Sequence, residues 1–245
     1  MSDVGLIVGS GLSRLGLDIV ARSDTHTPYG PASSRLLTVA AGGRRVLAVA
    51  RHGEEHTLAP HEVNYRANLW ALHRHGVRRC IGVNIVGSID ETFRPGDLAV
   101  PDQLIDYTWG RESTFGGADG GVVHAEFAEP FDPALRRTIA DAGSAVGLAI
   151  RAGGTYGVTQ GPRLETRAEI DRLARDGCAM VGMTAMPEAA LARELGMGYA
   201  ICALSVNWAA GRGDAAGDVH AQIDRYLTDG MTRVAALLEQ LIRCL

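Results

Sequence analysis

Apolar runs of strand length alternate along this chain with stretches of helical period. Val4 to Val8 is a short apolar run closed by the turn Gly9-Ser10-Gly11, and it reads as a strand. Arg45 to Ala50 predicts a second strand, followed by the polar stretch Arg51-His52-Gly53-Glu54-Glu55-His56. Asn64 is placed to cap a helix running to His75, with Leu69 and Leu72 on its apolar face and Gly76 as its stop. Cys80 to Val86 predicts a buried strand, and Leu98 to Pro101 continues the sheet. Pro133 to Val146 has the amphipathic period of a helix, the stretch Gly154 to Thr159 follows it, and a helix is then expected from about Glu165 to Arg175. Ala179 to Met183 is a further strand. Pro187 near a first turn and Gly196 just past an end bracket the next helix. Tyr199 to Val206 is strand-like, and Val219 to Ile242 carries a long final helix. This alternation predicts an α/β layered fold in one domain over residues 1–245. The stretches Ser113–Gly121 and Ala209–Gly217, rich in Gly, Ala and Asp, are expected to be mobile loops.

Composition narrows the classes. With 245 residues, 46% of them hydrophobic, the chain can bury a sizeable core. Its 24 basic and 28 acidic residues give a net charge of −4, the wrong sign for a nucleic-acid binder. Every basic residue is Arg, which excludes a Walker A lysine, a Schiff-base lysine and a kinase lysine together. Cys80, Cys178, Cys202 and Cys244 are scattered without a C-x-x-C pair, against a disulfide framework or thiolate zinc site. The N-terminus lacks the basic and apolar regions of a signal peptide, and no run approaches the roughly 20 apolar residues that span a bilayer. A reduced, soluble, cytoplasmic protein is expected, with no membrane or nucleic-acid partner.

Four motifs carry candidate chemistry, each beside a plainer reading. Gly9-Ser10-Gly11 lacks the third glycine of a dinucleotide fingerprint, because Arg14 stands there; it is either a tight turn or a cradle presenting N–H groups and a hydroxyl to an anion. His52 and His56 are four apart, but Gly53 occupies the zincin glutamate position, so no metal site is expected. Arg51-His52 after a strand suits an oxyanion, Arg as a fork and His as a further donor. Glu165 reads as a first-turn acid complementing a helix dipole, or as a ligand group. Asn207, at the carboxyl end of a strand, either ends that strand or meets a ligand there.

Together these blocks resemble the purine nucleoside phosphorylase and methylthioadenosine phosphorylase family. The similarity runs in order through GSG at 9–11, RHG at 51–53, PHEVNYRANLWAL at 60–72, GSI at 87–89, PGDL at 95–98, DQLIDYT at 102–108, HAEFAEPF at 124–131, GPRLETRAE at 161–169 and VGMTAMPEAALARELG at 181–196. Within the family the methylthioinosine phosphorylases are most similar, through GPRLET, GMTAMPEAALAREL and VNWAAG at 206–211. The resemblance implies a single mixed β-sheet with a small barrel flanked by helices, assembled as a homotrimer. It implies phosphorolysis of a purine nucleoside, with inorganic phosphate as co-substrate and neither metal nor organic cofactor. Carried over residue by residue, Ser10, Arg51, His52 and Thr184 match phosphate contacts, and Asn84 and Ile85 stand where relatives often carry Thr-Ala. Leu164, Glu165 and Asn207 match the base site, Met183 a ribose contact, and His220 and Ile223 the 5′ end. His124 matches a position reaching the neighbouring subunit's 5′ pocket. Asn207 and His52 are the implied catalytic pair.

Two positions discriminate among purines. A 6-oxopurine carries a proton on N1, whereas a 6-aminopurine has a lone pair there, and an ionised Glu165 only accepts. Adenine-specific relatives carry Ser for Glu165 and Asp for Asn207, so both differences indicate a 6-oxopurine. Methylthioinosine is the expected nucleoside, with hypoxanthine and 5-methylthioribose 1-phosphate as products in purine salvage. His220 leaves open a general inosine or guanosine phosphorylase, since it aligns with a histidine that contacts a 5′-hydroxyl, and it also reads as a solvated helix-start residue. A nucleosidase and a non-catalytic purine-binding protein are the other classes weighed. Arg51 and His52 disfavour the nucleosidase, which has no dianion to hold.

Overall fold

The computed structural model describes residues 3–10, 14–116, 121–213 and 219–245. Gly11 of the GSG turn and parts of the two stretches expected to be mobile lie outside them. Among the described residues eleven strands form one sheet. The first lobe comprises β1 (Val4–Val8), β2 (Asp18–Ser23), β3 (Leu36–Ala41) and β4 (Arg44–Ala50), in the order β2-β3-β4-β1. α1 (Tyr65–Arg74) follows, with the Asn64 side chain accepting from the Ala67 N–H as its cap. β5 (Arg79–Ser88) pairs in parallel with β1 and begins the second lobe.

That lobe adds β6 (Leu98–Val100), β7 (Gln103–Asp106), α2 (Pro133–Ala145), β8 (Ile150–Ala152), β9 (Thr155–Val158), α3 (Arg167–Arg175), β10 (Cys178–Gly182), α4 (Ala185–Glu194), β11 (Gly198–Trp208) and α5 (Val219–Cys244). Pairing runs β8-β6-β11-β5-β10-β9-β7. One end of this ribbon, β8, is only Gly153 and Gly154 away in the chain from β9, next to the other end. A ribbon tied so closely near both ends must curl on itself, which is the small barrel.

Strand period explains the layers. In β1, Val4, Leu6 and Val8 belong to a core shared with α2 and α5, while Ile7 belongs to a second core with α1 and α4. A parallel central strand buried on both faces therefore reads as a continuous apolar run. A smaller cluster packs Ile170 and Leu173 of α3 on Cys178 and Val181 of β10. β2, β3, β7 and β8 are strands the sequence pattern did not predict. β2 exposes most of its side chains and shows little apolar alternation, and β7 and β8 have only four and three residues.

Candidate active site

One edge of β5 is shared by two strands that approach from opposite ends. β1 runs parallel to it and stops at the pair Val8–Val83, whereas β10 runs antiparallel and covers Gly87 and Ser88. The carboxyl ends of both strands therefore point into a gap over Asn84, Ile85 and Val86. Such a switch of direction is where an α/β sheet opens a ligand crevice. A cavity of about 700 Å³ lies there.

At one end of the cavity is Arg51, directly after β4 and 1% exposed. Its Nε donates to Glu188 Oε1 at 2.5 Å and its Nη2 to Glu188 Oε2 at 3.0 Å, and Glu188 is fully buried. Nη2 also donates to Asn84 Oδ1 at 2.9 Å, and Nη1 to the Val83 carbonyl at 3.2 Å. Burial pulls the Arg51 pKa down and the Glu188 carboxylate more than offsets it, so the guanidinium stays charged. Of its five N–H groups, one on Nη1 has no partner among the described residues. That nitrogen faces Gly9, where a Cβ would lie 2.5 Å from it, so only glycine lets the turn come this close.

Asn84 does not itself line the cavity. It joins Arg51 to Thr184, donating from Nδ2 to Thr184 Oγ1 at 3.1 Å. Thr184 precedes α4 without capping it through its side chain, and it lines the cavity. Ser10 and Ile85 line the same end, with Ser10 Oγ 3.4 Å from His56 Nε2.

His52 differs from its expected role. Its Nδ1 lies 2.8 Å from the Leu58 carbonyl, which can only accept, so Nδ1 carries the proton. Burial, with the charge of Arg51 beside it, lowers the pKa to about 4. At neutral pH the imidazole is uncharged and Nε2 is an acceptor, not the further donor that the Arg-His pair suggested. HPO₄²⁻ offers one P–OH, which such an acceptor can receive.

At the other end stand Glu165 and Asn207. Glu165 lies outside α3: Thr166 is the cap, and Glu169 returns to the Thr166 N–H in a capping box. Glu165 is thus free of the helix-dipole role, and the Thr159 hydroxyl donates to its Oε1 at 2.5 Å, leaving Oε2 for a ligand. Leu164 beside it is exposed and lines the cavity mouth. Asn207 is aimed by a β-bulge, because the pairing of β11 with β5 shifts between Ser205 and Asn207. Its Nδ2 donates to the Trp208 carbonyl at 2.7 Å, which fixes the amide and leaves Oδ1 and one N–H for a ligand. Met183 lies between the two ends, with Gly161 at φ 61° packed so close that a Cβ would meet Met183 Sδ at 2.4 Å.

The α5 wall contributes Val219, Gln222, Ile223 and Leu227. His220 is exposed and not among the lining residues, because Val219, Gln222 and Ile223 hold the turn of α5 that faces inward. His124 is also exposed and lies off this cavity. Sequence reasoning did not single out Glu188 or Gln222, and it weighed His56 only as a metal ligand, whereas His56 lines the cavity with its ring 4.8 Å from that of His52. Glu188 follows a proline in a first helical turn and so looks like any dipole-complementing acid. Among the described residues no three His, Cys, Asp or Glu side chains form a metal-sized group, and no helix is long and apolar enough to cross a membrane.

The phosphorylase superfamily model matches residues 3–243. A protein of Xanthomonas campestris pv. campestris named "Probable S-methyl-5'-thioinosine phosphorylase" is 52% identical over 214 residues, covering 86% of each chain. One of the same name from Pseudomonas syringae pv. tomato is 47% identical over 244 residues, covering 99% of each. The methylthioadenosine phosphorylase of Schistosoma mansoni, solved with adenine, is similar in fold with a TM-score of 0.92 and 30% identity, over 98% of this chain and 91% of that one.

Proposed function

Because the chain belongs to the phosphorylase superfamily, we propose that it cleaves a 6-oxopurine nucleoside with phosphate, and that its nucleoside is S-methyl-5′-thioinosine. The observation that carries this reading is a cavity with opposite chemistry at its two ends: anion donors from Arg51 and Thr184, and an acceptor-plus-amide pair from Glu165 and Asn207.

Phosphate sits against Arg51 Nη1, Thr184 and Ser10, with its P–OH toward His52 Nε2. A phosphate oxygen forms the bond to C1′ as the C1′–N9 bond breaks, and the bonding pair moves onto the purine. The sugar gains positive charge next to the phosphate dianion. The base gains negative charge, which the free Asn207 N–H meets at O6, and Oδ1 accepts from the N7–H once the departing purine anion has taken a proton from water at N7. This is preorganised electrostatics around two bound reactants rather than strong acid catalysis. The Arg51–Glu188 pair is neutral as a unit, so the phosphate is held by aimed N–H and O–H groups. Glu165 Oε2 accepts the N1–H of hypoxanthine. Facing it with the N1 lone pair of adenine costs about 3 kcal/mol, on the order of 100-fold.

The apolar α5 wall of Val219, Ile223 and Leu227 supports a thiomethyl group at the sugar's 5′ end, as does the exposure of His220. One observation favours the inosine or guanosine reading instead: Gln222 brings an amide to that wall, able to bond a 5′-hydroxyl. A single domain in the cytoplasm is part of the proposal, supported by one continuous sheet and four free cysteines. So is a homotrimer, supported by exposed Trp109, Val122 and Val123 in and near the stretch carrying His124.

Incubation of the protein with methylthioinosine, with and without phosphate, tests the reaction class by ³¹P NMR. Growth of a sugar 1-phosphate resonance matched by hypoxanthine supports phosphorolysis. Hypoxanthine released at the same rate without phosphate means a nucleosidase, and tight hypoxanthine binding with no release means a binding protein.

A further inference from the structure

Arg111, in the chain after β7, lies behind the cavity wall and does not line it. Its Nη1 donates to the Met183 carbonyl at 2.8 Å and the Met186 carbonyl at 2.6 Å, and reaches the Tyr65 hydroxyl at 3.2 Å. Its Nη2 donates to the Gln160 carbonyl at 2.9 Å and reaches that of Thr159 at 3.5 Å. The guanidinium lies 5.5 Å from the Tyr65 ring centroid. Its Nε–H is buried without a partner, and no carboxylate pairs with it among the described residues. A cation is thus committed to neutral acceptors on two separate segments.

Those segments bear the base end of the site and Met183, which lies between its two ends. Thr159 and Gln160 lead into the loop of Leu164 and Glu165, and the Thr159 hydroxyl holds Glu165 directly. Met183 lines the cavity beside Thr184, and Met186 is the extended residue (φ −113°, ψ 138°) before Pro187 and Glu188, the partner of Arg51. Besides Arg111, the segments are joined where they leave the β9–β10 pairing at Val158–Gly182, by the Thr159 N–H and, at 3.5 Å, its hydroxyl to the Gly182 carbonyl, and by the packing of Gly161 on Met183. The planar fork spans both, which a lysine with one nitrogen cannot do.

We infer that Arg111 is a positioning residue that sets the distance between the base end and Met183, and so governs nucleoside fit and purine discrimination. The inference rests on the phosphorolysis reading. Arg111→Lys keeps a charge able to make a cation–π contact with Tyr65, and Arg111→Gln removes it. Displacement of a reacting group by about 1 Å costs on the order of 100-fold. Both variants are expected to raise the KM for methylthioinosine about 10- to 100-fold, to narrow the ratio of 6-oxopurine to 6-aminopurine turnover, and to leave the phosphate KM within about threefold.

Three outcomes overturn the inference: a lowered Tm with unchanged KM and purine ratio, an equal rise in both KM values, or loss of folding in both variants. Hypoxanthine binding by calorimetry judges Arg111 separately from turnover. An inactive wild type sinks the functional reading, whereas wild-type and variant affinities that are equal sink the role of Arg111.

Discussion

Replacing Glu188 by Gln tests the anchor on which the phosphate end depends. The wild-type carboxylate accepts from Arg51 Nε, Arg51 Nη2 and the Tyr199 hydroxyl, the last at 2.7 Å, and none of the three side chains is exposed by more than a few per cent. A glutamine has one accepting oxygen. In either orientation its NH₂ faces a donor, and the guanidinium loses its buried counter-charge. Removing one member of a buried pair costs about 3–5 kcal/mol. For a chain of this size each kcal/mol lowers Tm by about 2–4 °C, so a fall of about 6–20 °C is expected by calorimetry. Arg51 also loses its fixed place, and the phosphate KM should rise about 10- to 100-fold while the nucleoside KM changes little. The double variant Arg51→Met with Glu188→Met should recover much of the Tm but none of the phosphate affinity, because an apolar pair avoids the desolvation of two charges. A Glu188→Gln protein with wild-type Tm and wild-type phosphate KM would refute the anchoring role.

Three further outcomes follow from the site. Gly9→Ala sets a methyl carbon 2.5 Å from Arg51 Nη1, which Glu188 prevents from retreating, so the phosphate KM should rise about 10-fold or more with a smaller change for nucleoside; an unchanged phosphate KM would remove the Gly9 turn from the anion site. His52 has a folded pKa of about 4 against an ordinary 6.5, so its contribution to stability is complete above pH 6.5 and is lost as pH falls toward 4. Unfolding free energies from urea titrations at pH 7 and 4.5 should differ by about 2 kcal/mol more for wild type than for His52→Asn, and equal pH dependence would contradict the buried neutral imidazole. Asn207→Asp loses the N–H for O6 and should shift the ratio of methylthioinosine to methylthioadenosine turnover about 10- to 100-fold toward the 6-aminopurine; a constant ratio would take Asn207 out of base recognition.

Features fixed by local chemistry were legible in the sequence. Asn64 and Gly76 bound α1 as expected, because a side-chain cap and a positive-φ stop act within one helical turn. Arg51 and Asn207 stood out because each lies at the carboxyl end of a strand, where parallel sheets bind ligands. What the pattern missed is set by partners far away in the chain. Glu188 looks like an ordinary first-turn acid until Arg51, 137 residues away, meets it. The bulge that turns Asn207 depends on its register against Gly87. Arg111 is one arginine among many until its carbonyl acceptors come together. The role of His52 turned on a single carbonyl, that of Leu58, which decides which ring nitrogen faces the cavity. Glu165 was placed inside a helix, but the capping box of Thr166 and Glu169 starts α3 at Arg167, two residues later than expected.

Initial rates on methylthioinosine, inosine and methylthioadenosine at one fixed phosphate concentration test the central claim most directly. The account predicts the highest kcat/KM for methylthioinosine, a lower one for inosine, and methylthioadenosine slower than methylthioinosine by on the order of 100-fold. Inosine ahead of methylthioinosine would make Gln222 the group that reads the 5′ end. Methylthioadenosine equal to or faster than methylthioinosine would contradict the account, because Glu165 and Asn207 would then not be reading the purine edge.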